Sequence, residues 1–353
     1  MVAGSTAPSH DDDSQPTGKP PRWSVGRLLL LALTGLCLYL FFPSIAEVFE
    51  ASNKLGEVHP VAIPAILVFE FASFACTWIL QRIALRTHGW FPVVTTQLAG
   101  NFFNRITPGG GATGTALQAR MLIDAGFNPA KAGTAITVQS LLITAAVLAL
   151  PVFAVPAIIL GTSVPGDLAD AAWIGIVVFA VMAGVIALLL ARHRPLVAVG
   201  RAIQWTANKV RFRRPPITGL PERLVAERNE IRHTLGERWL QAVGAAVGRW
   251  AFEYLVLLVT LYGIGASPDI WLVLLAFVAA SLLGMIPFTP GGLGFVEAGL
   301  AGTLALSGIT TAEALLATLV FRLVSFWLPM PVGAVTWFAF RRRYPRAREI
   351  TQR

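Results

Sequence analysis

Residues 101–111 read Asn-Phe-Phe-Asn-Arg-Ile-Thr-Pro-Gly-Gly-Gly, and residues 287–297 read Pro-Phe-Thr-Pro-Gly-Gly-Leu-Gly-Phe-Val-Glu. Both stretches contain Thr-Pro-Gly-Gly, at 107–110 and at 289–292. Because proline lacks a backbone N–H and glycine adopts conformations that other residues avoid, a helix ends at such a sequence. Short apolar pieces flank each break, so we interpret both stretches as hairpins of two half-helices.

The composition is that of an integral membrane protein. Of the 353 residues, 55% are hydrophobic and 13% are charged, whereas a soluble domain carries about 25% charged residues. The composition therefore excludes an ordinary soluble enzyme. The net charge of +9 does not indicate nucleic-acid binding, because the basic residues lie beside apolar segments. Cys37 and Cys76 lie inside apolar runs, so they predict neither a disulfide framework nor a cysteine metal site.

A helix needs about 20 mostly apolar residues to cross a bilayer. The segments that meet this condition are 28–49, 61–80, 132–160, 171–191, 239–263, 270–288 and 314–340. We therefore predict an all-α polytopic membrane protein with about seven full spans. A disordered cytoplasmic tail is predicted at 1–26, the transmembrane domain at 27–340 and a basic cytoplasmic tail at 341–353.

The distribution of basic residues orients the spans, because lysine and arginine are enriched in cytoplasmic loops. Twenty-two of the 28 basic residues lie at 19–27, 82–92, 192–238 and 341–353. The alternate loops contain only Lys54. Both termini are then cytoplasmic, the segment 92–131 enters the membrane from the cytoplasmic side, and the segment 270–307 enters from the outer side. The two re-entrant hairpins are therefore predicted to form an inverted repeat.

Broken helices of this kind meet near the membrane midplane in transporters, where they hold the substrate. Backbone polar groups at a break cannot face lipid, and the N-terminus of the following half-helix favours an anion such as phosphate. We predict a substrate cavity whose turn residues are Pro108, Gly109, Gly110, Pro290, Gly291 and Gly292. The alternative is that Pro-Gly-Gly only interrupts a loop.

Ionisable residues also occur within the apolar or re-entrant segments. They are Glu70, Arg105, Arg120, Arg249, Glu253, Glu297 and Arg322. In lipid each would cost at least about 2.5–3.5 kcal/mol, so we expect them to face one another or a hydrated interior. Arg249 and Glu253 are spaced to pair on one helix face. Glu297 and Arg322 are candidates for either mutual pairing or substrate contact.

Arg105 and Arg120 flank the first break and are predicted to bind a substrate phosphate, because a guanidinium offers forked donors. Asn101 and Asn104 either add neutral donors there or serve in capping and helix packing. Glu70 either forms a contact within the helix bundle or takes part in substrate binding. Together with the other carboxylates it would meet a cationic or hydroxyl-bearing headgroup.

Motifs for nucleotide and metal chemistry are absent from the sequence. None of the lysines lies in a Gly-x-x-x-x-Gly-Lys-Ser/Thr loop, the histidines lie in tails or loops, and there is no Gly-x-Ser-x-Gly elbow. We therefore expect no cofactor, no metal site and no nucleotide hydrolysis.

The basic loop 192–238 is predicted to contain an amphipathic helix from Leu220, because Leu224, Ile231 and Leu235 continue one apolar stripe. Such a helix can lie on the anionic inner leaflet. A soluble partner at this loop is the alternative, and a homo-oligomer is also left open.

The two Pro-Gly-Gly motifs, with Asn101, Arg120, Glu297 and Arg322 around them, resemble the lysylphosphatidylglycerol synthase transmembrane-region family. This flippase-like membrane domain also forms the N-terminal part of the multiple peptide resistance factor. The similarity spans about residues 25–340. It implies a bacterial or archaeal inner-membrane protein that moves lipid headgroups between leaflets, and in which Arg120, Glu297 and Arg322 match the family's charged motif residues. The sequence lacks the soluble aminoacyl-transfer domain of the two-domain members, so we expect no synthase activity.

We therefore predict a lipid translocase, not an enzyme, whose partners are the bilayer and a phospholipid or lipid-linked substrate. Without a nucleotide site, movement would be downhill or coupled to an ion gradient. The first alternative is a membrane-embedded lipid-modifying enzyme with Glu297 as acid or base, although no second carboxylate stands at a local spacing. The second alternative is a membrane scaffold that transports nothing and binds a soluble partner through the 192–238 loop.

Overall fold

The computed structural model describes residues 58–107, 111–150, 192–210, 236–284 and 294–345, with isolated residues at 56, 152, 292, between 177 and 188, and between 218 and 229. Within these residues the α-helices are α1 (Ala62–Leu85), α2 (Trp90–Ile106), α3 (Gly111–Asp124), α4 (Pro129–Ala149), α5 (His193–Val210), α6 (Trp239–Gly263), α7 (Ile270–Gly284), α8 (Phe295–Leu306), α9 (Thr311–Arg322) and α10 (Pro329–Arg343).

Helices α1 and α6 form the most extensive helix pair of the described bundle. Helix α6 fully buries Val256, Leu257 and Leu261 in a cluster that also includes Ile66 of α1. Gly263 ends α6 against the start of α1, where an added Cβ would lie 2.7 Å from a side-chain carbon of Ala62. The pair is thus held by apolar packing along its length and by close approach at one end.

Helices α2 and α3 form the first hairpin and pack against each other. They are 17 and 14 residues long, shorter than the about 20 residues that cross a bilayer. A Cβ on Gly100 would lie 3.2 Å from the Gly114 carbonyl oxygen, and Asn104 Oδ1 accepts a hydrogen bond from the Gly114 N–H at 2.8 Å. The turn at 108–110 lies outside the described residues, and the entry of this hairpin into the membrane from the cytoplasmic side stays a prediction.

Replacing Gly114 by alanine is expected to lower the free energy of unfolding by about 1–3 kcal/mol, the usual effect of overpacking. The new Cβ would lie 2.1 Å from Asn104 Oδ1 and 2.2 Å from the Gly100 carbonyl oxygen, so the two helices must separate. Gly133→Ala in α4 is the control, because a Cβ there meets no atom within 4 Å and alanine favours a helix. Thermal unfolding in detergent measures both variants, and equal midpoints would contradict the close packing of α2 on α3.

Helices α7 and α8 form the second hairpin and are 15 and 12 residues long. Thr303 of α8 and Ser307, which follows the last residue of α8, donate hydroxyl hydrogen bonds to carbonyl oxygens of α7 at 3.4 and 3.2 Å. Gly292 and Gly294 have φ values of 71° and 78°, which glycine adopts without a Cβ clash. The chain therefore leaves the predicted second break immediately before α8 begins.

Helix α9 continues into α10 through a π-helical turn, Leu323–Trp327. Pro329 follows this turn and cannot donate the N–H that the Ser325 carbonyl would accept in an α-helix. The Leu328 N–H donates instead to the Leu323 carbonyl at 2.9 Å. π-Turns inside α-helices often mark functional sites, and here the turn frees a carbonyl for contact with another helix.

Four helical segments of the described residues are long and apolar enough to cross a membrane: Ala62–Leu85, Pro129–Ala149, Gly236–Gly263 and Thr311–Arg343. They coincide with four predicted spans, and the all-helical membrane architecture is confirmed. The predicted span 270–288 corresponds to the shorter helix α7. The total of seven spans, the re-entrant course of the two hairpins and the inverted repeat stay predictions.

Several predicted segments fall on parts of the chain that the structure does not describe. They are the tail at 1–26, the span at 28–49, and most of the span at 171–191 and of the amphipathic helix from Leu220. The described part of the 192–238 loop contains helix α5.

Candidate functional site

A cavity of about 290 Å³, called the polar cavity below, lies between helices α1, α2, α3, α4 and α6. Most of its lining consists of polar or charged side chains: Glu70, Ser73, Thr77, Gln97, Asn101, Asn104, Arg105, Thr115, Gln118, Gln139, Ser140, Thr144, Arg249, Glu253 and Ser325. Because such groups are costly in contact with lipid, their convergence on one space inside the bundle favours a hydrated site.

The formal charges around the polar cavity balance. Arg249 and Glu253 form the ion pair that their spacing predicts, with 3.3 Å between Arg249 Nη2 and Glu253 Oε2. Arg105 and Glu70 supply one further charge of each sign. The lining therefore does not select a strongly charged ligand of either sign by its total charge.

Arg105 joins the first hairpin to the π-helical turn. Its Nη2 donates to the Ser325 carbonyl at 3.0 Å, and its Nη1 donates to the Phe326 carbonyl. Its guanidinium carbon also lies 4.5 Å from the centre of the Phe326 ring. Two of the five N–H donors of the side chain therefore hold helix α2 to carbonyl oxygens of the π-helical turn, while the side chain also lines the polar cavity.

Three buried glutamines of the polar cavity have side-chain atoms without a hydrogen-bond partner among the described residues. These atoms are Oε1 of Gln97, Nε2 of Gln118 and Oε1 of Gln139, and the residues are 5%, 8% and 7% exposed. Glu70 is 6% exposed, and its Oε2 also has no hydrogen-bond partner among the described residues. An unpartnered buried polar group costs about 1–3 kcal/mol, so this set is typical of a site that binds water or a polar ligand.

A second cavity of about 210 Å³ adjoins the first and shares Arg105, Glu253 and Ser325 with it. Its other walls are mostly apolar and include Val296 and Leu300 of the second hairpin. The first hairpin therefore lines the polar cavity, and the second hairpin lines its neighbour.

Glu297 and Arg322 form a buried ion pair beside this second cavity. Arg322 Nε donates to Glu297 Oε1 at 2.5 Å, and each side chain is 10% exposed. Glu297 lies in the first turn of α8, where the helix dipole stabilises a carboxylate. The guanidinium carbon of Arg322 lies 4.2 Å from the centre of the Phe326 ring. Of the two roles left open by the sequence, the structure shows the mutual pairing.

The structure brings some of the predicted substrate-binding residues together and leaves others apart. Asn101, Asn104 and Arg105 line the polar cavity with the secondary candidates from α1 and α6. Arg120 is exposed on α3 and does not line that cavity. Asn104 has the capping role, since it occupies the Gly114 N–H in the first turn of α3.

The turn residues of the predicted cavity lie largely outside the described residues. Five of these residues lie outside the described part of the chain, namely Pro108, Gly109, Gly110, Pro290 and Gly291, and Gly292 lies within it. Their substrate-binding role stays a prediction, as does that of Arg120.

Apart from Asn101 and Asn104, the neutral polar lining of the polar cavity was not predicted from the sequence. The ionisable residues of the apolar segments were predicted, Glu70 among them, whereas the three buried glutamines were not. Glutamine side chains inside apolar or re-entrant segments were the feature of the sequence that could have predicted this lining. The carbonyl groups of Ser325 and Phe326 accept hydrogen bonds from Arg105. The sequence indicates this only indirectly, through Pro329, which removes a backbone donor from the helix.

The sequence profile of the lysylphosphatidylglycerol synthase TM region matches residues 24–333. The chain is 27% identical over 310 residues to a UPF0104 membrane protein of Methanothermobacter thermautotrophicus, and this match covers 82% of the chain and 89% of the relative. Two shorter matches are also to UPF0104 membrane proteins of that organism. One is 31% identical and covers 24% of the chain and 26% of the relative; the other is 25% identical and covers 41% and 43%.

Proposed function

We propose that this chain, which belongs to the lysylphosphatidylglycerol synthase TM region family, is a lipid translocase. It moves the headgroup of a phospholipid or of a lipid-linked substrate between leaflets, through the polar cavity. The proposal includes a prokaryotic plasma membrane and cytoplasmic termini, as the distribution of basic residues indicates. Neither nucleotide hydrolysis nor another enzymatic activity is part of it.

One observation carries the proposal: buried amide atoms that have no hydrogen-bond partner among the described residues line a cavity inside a membrane bundle. A structural core would fill this space with apolar side chains, because unpartnered amides destabilise the fold. A headgroup that crosses the membrane needs hydrogen-bond partners along its path, since each unsatisfied polar group in hydrocarbon costs several kcal/mol. The glutamines of the polar cavity, Gln97, Gln118 and Gln139, offer such partners.

The charged side chains have separate roles in this proposal. Arg105 stands beside the π-helical turn and would contact an anionic part of the headgroup with donors other than those held by Ser325 and Phe326. Glu70 and Glu253 would accept hydrogen bonds from hydroxyl or ammonium groups. The two Pro-Gly-Gly turns would complete the path, as in transporters with broken helices.

Reconstituted vesicles test the proposal directly. The probes are phosphatidylglycerol, phosphatidylethanolamine and glycosyl diacylglycerol, each with a fluorescent group on one acyl chain that an impermeant reductant bleaches from outside. Vesicles that contain the protein should lose more than half of the fluorescence, because lipid from the inner leaflet reaches the reductant. A loss equal to that of empty vesicles for every probe, with and without ion gradients, would refute the translocase.

A second candidate function is favoured by one observation, that two carboxylates from different helices line the same cavity. Glu70 of α1 and Glu253 of α6 are brought together there, although no local spacing in the sequence pairs them. Two carboxylates can serve as acid and base in a lipid-modifying enzyme. A lipid species that disappears from cells without the protein, and returns with the wild type but not with Glu70→Gln, would favour this enzyme over the translocase.

A further inference from the structure

A concave apolar groove of about 270 Å³, called the apolar groove below, lies on the outer surface of the bundle between α1 and the start of α10. Phe71 and Leu328 at its edge are 63% and 46% exposed. The other lining residues are Leu67, Glu70, Phe74, Trp78, Leu98, Pro329 and Val332. In a membrane-spanning bundle such an exposed apolar surface faces the acyl chains of the bilayer.

The apolar groove and the polar cavity share a boundary. Glu70 and Phe74 line both of them and lie one turn apart on α1. Glu70 is the charged residue among those that line the groove, and its Oε2 has no hydrogen-bond partner among the described residues. A polar space and a lipid-facing apolar space therefore meet at a single carboxylate.

The geometry points to a two-part lipid site, and this inference rests on the proposed function. We propose that the headgroup occupies the polar cavity while one acyl chain of the same lipid lies in the apolar groove. The glycerol linkage then crosses the helix surface at Glu70 and Phe74. In this arrangement a lipid acyl chain binds in the apolar groove, which recognition of the headgroup alone would leave without a role.

The physical reason is connectivity rather than apolar attraction. Lipid tails are as apolar as the groove, so the hydrophobic effect gives a chain no preference for the groove over the bilayer. A chain attached to a headgroup in the polar cavity must nevertheless leave the bundle beside that headgroup. The groove offers this exit, because it lies on the lipid-facing surface and shares Glu70 and Phe74 with the polar cavity. The groove should therefore discriminate lipids by the size of the chain that it accepts.

Val332→Trp tests this inference by filling the groove from α10. Val332 lines the groove and is 45% exposed, whereas Val68 on α1 is 63% exposed and outside it. Val68→Trp therefore adds the same bulk to the lipid-facing surface as a matched control. Each of the three fluorescent lipids is supplied with either an oleoyl or a decanoyl unlabelled chain, and the rate of leaflet exchange is measured for both forms.

We expect Val332→Trp to slow the oleoyl form about tenfold relative to the decanoyl form, and Val68→Trp to leave the ratio at its wild-type value. Equal ratios in the two variants would overturn the acyl-chain site while leaving the translocase in place. If wild-type protein moves no probe in either form, the proposed function itself fails. Thermal unfolding midpoints of the two variants should be equal, because both substitutions add a tryptophan at a lipid-facing position.

Discussion

Glu297→Leu alone is expected to lower the free energy of unfolding by about 3–5 kcal/mol, the usual result of removing one partner from a buried ion pair. The substitution leaves the Arg322 guanidinium without its carboxylate at a position where both side chains are 10% exposed. Arg322→Met alone should have an effect of similar size, because it leaves Glu297 as the uncompensated charge.

The double variant, Glu297→Leu with Arg322→Met, should recover most of this loss. Replacing a buried ion pair by apolar residues of similar volume is often neutral or stabilising, because neither charge then needs solvation. The four proteins form a double-mutant cycle whose coupling energy is read from denaturant unfolding in detergent micelles. Purely additive losses would contradict the ion pair.

The Arg249–Glu253 pair provides an internal comparison. Its side chains are 26% and 18% exposed and are separated by one helical turn, so each single substitution there should cost less than the corresponding substitution of the more buried Glu297 or Arg322. The two pairs differ in burial while sharing the same chemistry. A coupling energy as large for Arg249 and Glu253 as for Glu297 and Arg322 would show that burial does not determine the effect.

The same double variant separates a structural role from a substrate contact. Glu297 does not line the polar cavity, so the folded double variant should retain lipid movement near the wild-type rate. A stable double variant that moves no lipid would instead support the prediction, made from the family's motif residues, that this pair meets the substrate.

Local patterns predicted the parts of the fold that depend on neighbours in sequence. The described residues show α2 ending at Ile106 and α3 beginning at Gly111, on either side of the first predicted break, and the i, i+4 spacing correctly paired Arg249 with Glu253. The membrane character and the family followed from composition and motifs, and the profile match to residues 24–333 confirms the family.

The contacts of Arg105 could not be predicted in this way. Its hydrogen bonds reach carbonyl groups of Ser325 and Phe326, more than 200 residues later in the chain. Backbone carbonyls occur at every position, so no sequence pattern distinguishes these two, apart from the nearby Pro329 that removes a helical donor. Likewise, only packing decides that Arg105 lines the polar cavity while Arg120 is exposed.

Gln139→Met is expected to stabilise the protein while slowing lipid movement about tenfold, which corresponds to about 1.4 kcal/mol. Methionine is unbranched, like glutamine, and fills similar space. In the protein the substitution removes an Oε1 atom that has no partner among the described residues, so the fold loses no hydrogen bond and gains apolar burial. For a headgroup in the polar cavity, the same substitution removes a hydrogen-bond partner.

Gln81→Met is the matched control for this prediction. Gln81 is 0% exposed, both of its amide atoms lack partners among the described residues, and it does not line the polar cavity. Its replacement should raise the unfolding midpoint at least as much as Gln139→Met does, and it should leave the rate of lipid movement unchanged.

The comparison of the two glutamine variants distinguishes a binding site from a defect in packing. Both variants could gain stability and keep the wild-type rate. The amides of the polar cavity would then not contact the transported headgroup, and they would no longer support the proposed translocase function. If Gln139→Met slows transport while Gln81→Met does not, and Gln97→Met slows it too, the amides act on the ligand from two different helices that line one cavity. The destabilising amides of this cavity would then be explained by the headgroup that they bind.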